Sequence, residues 1–583
     1  MPLPLPWQAT APLSRADLRT EAVAGLAVAV MSVPQGIAYA MVAGLPPAMG
    51  LYAGAVPAIV GALFRSSRLV VVGPTNALSL VFATAIAARA DDPVAVAATL
   101  ALLVGVLQIA AGLLRLHALV DFISAAVVTG YITGAATLIA VGQLPHVTGT
   151  PATSGDIFTR TGHWVASLPA TQPLSLAVAV GTVLLIALLR TRLPRGLPAL
   201  VVLGAATAAS AAFDLRGRGV TVIADLAPVP VGLPPLTLPE LEGSLALGSV
   251  AVAAMVLSLV ESTSVSRALA AQTGERVDVG RDFVGMGAAN LAAAFTGAYP
   301  VSGSLARSAL NHANGARTRL AGALSGAFVL VVLLGLGPVV DHTPVAAVAG
   351  LIIVVVRDLV DPEAIRSLWH SGLSDRWAFA GTVLGTWMLP LDQAIYLGVG
   401  ISIVLFLRRA RLLTVREFVV DRDLHLREVD PDESPTGGPG RCGAIRVLQV
   451  EGPLFFASAS ELEAVLTETA ADPAVRVVVV RLKRAQGVDY TAGRVLARIH
   501  DDLAGEGRHL LLVGMREDMM RRLEDIGVAE AFDAEELFPT QPGWFVAMNQ
   551  ALEHALDLVE AEGPGHAADC PFARYLEASR ATP

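Results

Sequence analysis

Lysine is nearly absent from this sequence of 583 residues, in which Lys483 is the single example. A GxxxxGK[ST] phosphate-binding loop therefore cannot form, which excludes ATP hydrolysis through such a loop as an energy source. Basic residues are scattered, and the formal net charge is −9. Because no concentrated basic face is available to follow a phosphate backbone, we expect no nucleic-acid partner.

Cysteine is also scarce, since Cys442 and Cys570 are the only two, and both lie in the polar C-terminal part. They are too few for a disulfide framework and lack the spacing of metal ligands, so we expect no metal and no cofactor. The sequence contains no HExxH or GxSxG motif. Because the sequence shows no nucleophile motif, metal-ligand spacing or acid–base pair, we do not expect an enzyme.

Charged residues make up only 16% of the chain, whereas hydrophobic residues make up 54% and the mean hydropathy is +0.61. Residues 94–114 and 320–340 carry no charge and reach the length of about 20 residues that a spanning helix needs. Counting all apolar runs gives about fourteen spans, which a polar stretch at 224–243 divides into two sets of about seven. An odd number per half predicts an inverted repeat in a polytopic α-helical membrane protein.

An even number of spans puts both ends of the chain on one side of the membrane. Arg408, Arg409, Arg411 and Arg416 follow the last span, which predicts that this side is the cytoplasm. The first 20 residues lack the features of a cleaved signal peptide. We therefore expect a multi-pass protein of the inner (plasma) membrane with cytoplasmic termini.

Beyond residue 414 the apolar runs shorten and charges become dense, which is typical of a soluble α/β domain. Strands are predicted at 444–450, 475–482 and 509–515, and helices at 461–471, 491–504, 516–526 and 544–558. The predicted organisation is, in order, an N-terminal cytoplasmic segment (1–20), a membrane domain (21–413), a linker (414–443), the α/β domain (444–560) and a tail (561–583).

Two short segments, VVVGPTN at 70–76 and AYPVSGS at 298–304, break the apolar pattern at corresponding places in the two halves. Such Gly/Pro-interrupted segments mark discontinuous helices whose N-terminal ends meet at mid-membrane. The positive ends of two helix dipoles would converge there, and Arg307 adds a full positive charge. This arrangement suits an anion.

Glu261 is the other ionisable residue within an otherwise apolar span. An unpaired carboxylate is costly in that environment, so it must be neutral, paired or hydrated. We favour a functional role for Glu261 over a capping or packing role near the end of its span.

The membrane part contains several distinctive motifs: SVPQGIAYA at 32–40, GLPP at 44–47 with GLY at 50–52, VGPT at 72–75, and SGSLARSA at 302–309. Together they resemble the SulP anion permeases, a family of sulfate transporters and anion exchangers, over about 19–558. The C-terminal domain resembles that family's STAS domain, with DYTAG at 489–493 in the position of a conserved loop.

The resemblance implies fourteen membrane segments in core and gate subdomains, elevator-type alternating access and a homodimer. It implies a substrate site formed by Gln35, Tyr39, Thr75, Ser304, Leu305, Ala306 and Arg307. Ala306 stands where some family members have a second hydroxyl. We therefore expect backbone N–H groups, rather than a side chain, to bind the anion at this position. Within the STAS domain, Asp489 and Thr491 are candidate regulatory residues. Thr491 stands at a position where related domains are phosphorylated. We favour a packing and dimer-stabilising role for the domain over such a switch.

In proton-coupled relatives an acidic residue occupies the position of Glu261, so the resemblance implies proton symport of a divalent oxyanion such as sulfate, or of a dicarboxylate, with Glu261 carrying the proton. On this reading we expect Glu261 to pair with Arg307 in the empty site and to accept a proton when an anion competes for the guanidinium. The expected partners are therefore a small anion, protons and membrane lipid. An anion exchanger and a sodium-coupled bicarbonate carrier remain alternatives. A sensor or scaffold that binds an anion and signals through the STAS domain is an alternative of another class.

Overall fold

The computed structural model describes residues 14–87, 92–116, 123–153, 156–193, 197–240, 244–335, 337–430, 440–543, 545–562 and 570–581. The chain divides into two compact units, Met1–Ile403 and Val404–Pro583.

The first half of the membrane unit contains eight main helices among the described residues. They are α1 (Arg15–Val42), α2 (Pro47–Phe64), α3 (Asn76–Ala87), α4 (Pro93–Leu113), α5 (Ala125–Thr148), α6 (Ile157–Ser167), α7 (Pro173–Leu189) and α8 (Leu197–Ala212). A two-residue strand, β1 (Val72–Gly73), precedes α3.

The second half repeats this arrangement. Its main helices are α9 (Gly248–Thr273), α10 (Val279–Phe295), α11 (Leu305–Ala313), α12 (Leu320–Gly335), α13 (Val345–Leu359), α14 (Pro362–His370), α15 (Leu373–Met388) and α16 (Leu391–Ala410). The strand β2 (Ser302–Gly303) precedes α11, as β1 precedes α3. Short helices at Ile223–Leu226 and Gly337–Asp341 complete the unit.

In the described part of the chain, six helices are long and apolar enough to cross a membrane by themselves: α1, α2, α4, α5, α9 with its preceding 3₁₀ turn, and α16. The helix α6, with the 3₁₀ turn after it, and α7 meet at a bend of 118°, and together they are apolar enough to count as one further, broken span. Both α6 and α14 contain no buried residue and follow the fifth span of their half. Setting these two aside leaves seven main helices in each half of the described membrane unit.

The membrane helices pack in two groups. In one group, α10 packs against α2 and α4, and α12 packs against α1 and α2. In the other, α13 and α15 pack against α5, and α13 also packs against α7. Helices from both halves of the sequence therefore interleave within each group.

Close helix contacts depend on small residues, as is usual in membranes. A Cβ placed at Gly50 of α2 would lie 1.8 Å from the carbonyl oxygen of Gly36 in α1. Likewise, a Cβ at Gly287 of α10 would lie 2.6 Å from the carbonyl oxygen of Gly105 in α4. The glycines thus set the distance between neighbouring helices of this group.

Glu21 in α1 is buried and joins the two halves of the first group. Its carboxylate accepts hydrogen bonds from the backbone N–H groups of Arg317 (2.9 Å), Thr318 (3.0 Å) and Ala321 (3.1 Å). These donors lie at the start of α12, where helical N–H groups have no intrahelical partner. A negative charge at this helix start is also favourable to the helix dipole.

The C-terminal unit is built on a six-stranded sheet with the order β4-β3-β5-β6-β7-β8. Its strands are β3 (Thr414–Val420), β4 (Leu426–Val429), β5 (Ile445–Leu454), β6 (Val477–Val488), β7 (His509–Met515) and β8 (Leu537–Pro539). The β3 strand pairs antiparallel with β4 and β5, while β5 to β8 pair in parallel.

Helices cover both faces of this sheet: α17 (Ala459–Ala470), α18 (Tyr490–Gly505), α19 (Glu517–Asp525), α20 (Val546–Glu562) and α21 (Pro571–Ala581). Alternate strand residues separate into two cores. Val478 and Val480 pack with α17, α18 and α19, whereas Val477 and Val479 pack with α20 and α21.

Two segments differ from our expectation. The predicted linker 414–443 contains β3 and β4, which belong to the sheet. The predicted tail 561–583 contains α21, whose Phe572 and Leu576 enter the core beside Phe418. The alternation of polar and apolar residues that predicts a strand is hidden here by charged residues. One of them, Glu417 in β3, is buried because it forms ion pairs with Arg441 and Arg446.

Candidate functional site

The breaks predicted at Gly73-Pro74 and Ser302–Gly303 meet in the structure. The strands β1 and β2 pair antiparallel, with Val72 opposite Gly303 and Gly73 opposite Ser302. The N–H of Ser304 donates to the carbonyl of Val71 at 3.0 Å. This pairing holds the starts of α3 and α11 next to each other.

Hydrogen bonds from α11 extend the junction beyond the two strands. The N–H of Val71 donates to Ser308 Oγ at 2.9 Å, and Asn311 Nδ2 donates to the carbonyl of Leu69 at 3.0 Å. The first half-helix break is therefore bound to side chains of the second half-helix.

The start of α11 presents unused backbone donors. Ser304 is its N-cap, and Ser304 Oγ accepts from the N–H of Arg307 at 3.5 Å. The N–H groups of Leu305 and Ala306 donate to no described residue. Both residues are exposed, Leu305 to 60%, so these donors are open to a ligand.

Arg307 is fully buried beside these donors. Its Nη2 donates to the carbonyl oxygen of Pro74 at 2.6 Å. Its Nε and Nη1 have no hydrogen-bond partner among the described residues. The guanidinium therefore links α11 to the turn before α3 and keeps donors available, which is the arrangement that an oxyanion requires.

Glu261 of α9 lies near this guanidinium but is not paired with it. Glu261 Oε2 accepts from Thr75 Oγ1 at 3.1 Å, and no ion pair joins Glu261 to Arg307 in the described part of the chain. Because Pro74 and Thr75 are adjacent in the chain, the guanidinium and the carboxylate bind neighbouring residues of one turn. The pairing that we expected for the empty site is therefore replaced by a hydrogen bond to the start of the other half-helix.

Two residues of α1, Gln35 and Tyr39, are also predicted for the site. Gln35 and Tyr39 are both buried, and Gln35 Oε1 has no hydrogen-bond partner among the described residues. Both belong to α1, which packs against the half-helices α3 and α11. The structure thus brings Thr75, Ser304 and Arg307 of the predicted set together with Glu261, and it packs the helix that carries Gln35 and Tyr39 against them.

Sequence reasoning missed several polar residues near the junction. Asn76, at the start of α3, has no described partner for either side-chain polar atom. Tyr131 on α5, a helix that packs against α3, is buried and its hydroxyl also has no described partner. The sequence indicates Asn76 by its place directly after VGPT, whereas nothing in the sequence singles out Tyr131.

A buried amide pair positions β2. The N–H of Val301 donates to Asn290 Oδ1 at 2.8 Å, and Asn290 Nδ2 donates back to the carbonyl of Val301 at 3.1 Å. Asn290 Nδ2 also donates to Gln108 Oε1 at 2.8 Å, and Gln108 Nε2 donates to Ser258 Oγ at 2.9 Å. Side chains of α4, α9 and α10 thereby fix the strand that leads into α11.

A second buried arginine lies at the other end of the junction and is paired. Arg65 Nη2 lies 2.8 Å from Asp282 Oδ2, and Asp282 also accepts from the N–H groups of Ser66 and Ser67 and from Ser266 Oγ. With its carboxylate so fully engaged, this pair is structural. Arg307 is the buried membrane arginine that has no such counter-charge in the described part.

In the C-terminal unit, Asp489 is the N-cap of α18 and accepts from the N–H groups of Ala492 (2.9 Å) and Phe456 (2.7 Å). Thr491 is exposed and lines a groove with Arg494 and Arg498. No group of residues in the described part of the chain is arranged to hold a metal ion.

These features define a membrane transporter built on an inverted repeat, in which the starts of two half-helices meet. The sequence pattern of the sulfate permease family matches residues 18–382, and that of the STAS domain matches residues 441–542. The chain belongs to the sulfate permease family, whose members transport anions.

Curated relatives and solved structures agree with this membership. A probable sulfate transporter of Mycobacterium tuberculosis is 29% identical over 537 residues, covering 90% of this chain and 94% of the relative. The inward-facing structure of the murine Solute Carrier 26 family member A9 anion transporter has a TM-score of 0.85 at 19% identity, covering 95% of this chain and 94% of the other.

The transmembrane domain of a cyanobacterium bicarbonate transporter, BicA, has a TM-score of 0.57 at 22% identity and covers 67% of this chain. These structural likenesses confirm the predicted fold class, an inverted-repeat helical membrane protein with a C-terminal STAS domain.

Proposed function

We propose that this chain is a secondary active transporter that carries a divalent oxyanion, or a dicarboxylate, together with a proton across the plasma membrane. The observation that carries the proposal is the buried guanidinium of Arg307, whose Nε and Nη1 donors are unpaired beside the open backbone donors of α11. A buried charge without full compensation is costly, so this site gains stability when an anion fills it.

Substrate class follows from the number of donors. The guanidinium offers two unpaired nitrogen donors, and the N–H groups of Leu305 and Ala306 offer two more. An oxyanion or a carboxylate accepts such bonds on several oxygen atoms and matches the planar guanidinium with two parallel bonds. Sulfate is the first candidate, because curated relatives in bacteria and plants are named as sulfate transporters.

Proton coupling is assigned to Glu261. Its carboxylate is held by Thr75 rather than by Arg307, so it is a separate negative charge near the anion position. A bound anion repels this charge and favours protonation of the carboxyl group. The anion and the proton then load together, and transport follows the proton gradient.

Elevator-type movement is supported by the two packing groups of helices. The group of α1–α4 with α9–α12 carries all predicted site residues, and its helices pack mainly with one another. We propose that this group moves as a body against the group that contains α5, α7, α13 and α15. The STAS domain would stabilise a homodimer in the membrane, with the termini in the cytoplasm.

The experiment is uptake of radiolabelled sulfate, fumarate and bicarbonate into proteoliposomes with an imposed inward proton gradient and without sodium. We expect one divalent anion to accumulate and a protonophore to abolish its accumulation. A requirement for an anion on the opposite side would favour exchange, and a requirement for sodium would favour the sodium-coupled alternative. Saturable binding without flux would favour a sensor.

A further inference from the structure

A cavity of about 270 Å³ lies away from the half-helices, where α5 ends and α6 begins. Its walls include Gly142 and Pro145 of α5, Thr153 of the connecting loop, and Arg160 and His163 of α6. No residue assigned to the substrate site lines it.

The polar side chains of this cavity lack partners. The guanidinium of Arg160 makes no hydrogen bond or ion pair with any described residue, and its Nε is buried. The side chains of Thr153 and His163 likewise make no hydrogen bond within the described residues. The two loop residues outside that part, at positions 154 and 155, are serine and glycine, and neither carries a carboxylate.

The nearest acidic residue on the same helix is already engaged. Asp156 is the N-cap of α6, and its Oδ1 accepts from the N–H of Thr159 at 2.8 Å. Arg160 is therefore a cation in a partly enclosed space, and no described residue supplies its counter-charge, which favours an anionic ligand.

The helix beside the cavity has the character of an interfacial helix. Phe158, Val165 and Leu168 are exposed by 64%, 52% and 40%, although they are apolar. Trp164 Nε1 donates to Thr148 Oγ1 at 3.2 Å, which fixes α6 against the end of α5. Exposed apolar side chains on a short amphipathic helix are typical of the boundary between headgroups and acyl chains, so the cavity opens at headgroup depth.

We propose that this cavity is an oxyanion-binding site, in which Arg160 binds the ligand and Thr153 and His163 add hydrogen bonds. The ligand is either the phosphate of a phospholipid headgroup or a free phosphate or sulfate ion, since both present the same oxygen atoms. The site occupies the packing group that contains α5 and α7, so its ligand stabilises that group and the attached helix α6.

The test uses the full chain carrying Arg307→Ala, so that no anion bound at the half-helices contributes. Native mass spectrometry measures retention of phosphatidylglycerol, and equilibrium dialysis measures binding of radiolabelled phosphate. Four proteins are compared: this background alone, and with Arg160→Gln, Arg160→Lys or Arg218→Gln. Arg218 is an exposed arginine after α8, which serves as the matched control.

We expect Arg160→Gln to bind at least about tenfold more weakly, because a charge-assisted hydrogen bond is lost. Arg160→Lys keeps most binding, and Arg218→Gln keeps all of it. A loss confined to phosphatidylglycerol identifies a lipid ligand, and a loss confined to phosphate identifies a free oxyanion. Equal binding of both probes by all four proteins overturns the proposal. If Arg160→Gln does not fold, Thr153→Val takes its place, with a smaller loss expected.

Discussion

Gly73 and Arg307 are in direct contact across the junction of the two half-helices: a Cβ on Gly73 would lie 2.4 Å from Arg307 Nη1. The guanidinium therefore rests on the backbone of β1, where only glycine leaves room. The glycine of the VGPT motif is required by a side chain that follows it by more than two hundred residues in the sequence.

Substitution Gly73→Ala is expected to displace the Arg307 guanidinium and to lower anion transport by at least about tenfold, because misplacing a binding group weakens several bonds together. Uptake into proteoliposomes measures the effect. The matched control is Gly54→Ala, where a new Cβ would meet its nearest neighbour, the Cβ of Ser32, at 4.0 Å. Equal uptake by the two variants would contradict the claim that Gly73 leaves room for the Arg307 guanidinium.

Substitution Glu261→Gln tests proton coupling. Glutamine can still accept the hydrogen bond from Thr75 but cannot gain or lose a proton, so accumulation driven by a pH gradient should vanish while downhill anion flux persists. Parallel uptake with and without the gradient measures this difference. The exposed Glu240→Gln serves as a control. If Glu261→Gln still accumulates anion uphill, Glu261 does not carry the proton.

Much of this site follows from the sequence, because Gly73, Pro74 and Ser302–Arg307 break apolar runs at corresponding positions and Glu261 is an isolated charge. The contacts do not follow from it. Nothing in the chain predicts that Arg307 binds the carbonyl of Pro74, or that Glu261 binds Thr75, since both are tertiary pairings between the two halves.

The same limit applies to the fold. The number of membrane segments could be predicted from hydrophobicity, and the main strands of the STAS domain from their valine and leucine runs. The strands β3 and β4 could not, because buried Glu417 is compensated by Arg441 and Arg446, which lie much later in the chain. A short local pattern in the sequence does not show which distant residue will pair with a buried charge.

Asn290 is expected to be essential for positioning β2. In Asn290→Leu, both backbone groups of Val301 and the Gln108 amide lose a buried partner, which costs about 2–4 kcal/mol in total. We expect a lower thermal unfolding temperature and a higher KM for the anion, measured in detergent and in proteoliposomes. The less buried Asn314→Leu should leave both values close to wild type, and equal behaviour of the two variants would contradict the assignment.

Glu21 is predicted to stabilise the protein without touching the anion. Substitution Glu21→Gln weakens three buried hydrogen bonds at the start of α12, with an expected loss of about 1–3 kcal/mol. Thermal unfolding should occur at a lower temperature, while the KM of the folded protein stays unchanged. A shift in KM without a change in unfolding temperature would place Glu21 in the transport site instead.

The central claim is that Arg307 binds the transported anion, and its most direct test is binding rather than flux. Radiolabelled sulfate, or whichever anion accumulates in wild-type proteoliposomes, is titrated by equilibrium dialysis against wild type, Arg307→Gln and the exposed control Arg276→Gln. We predict that Arg307→Gln binds at least about a hundredfold more weakly, since a bidentate charged contact is lost, and that Arg276→Gln matches wild type. Wild-type affinity in a folded Arg307→Gln protein would contradict the account.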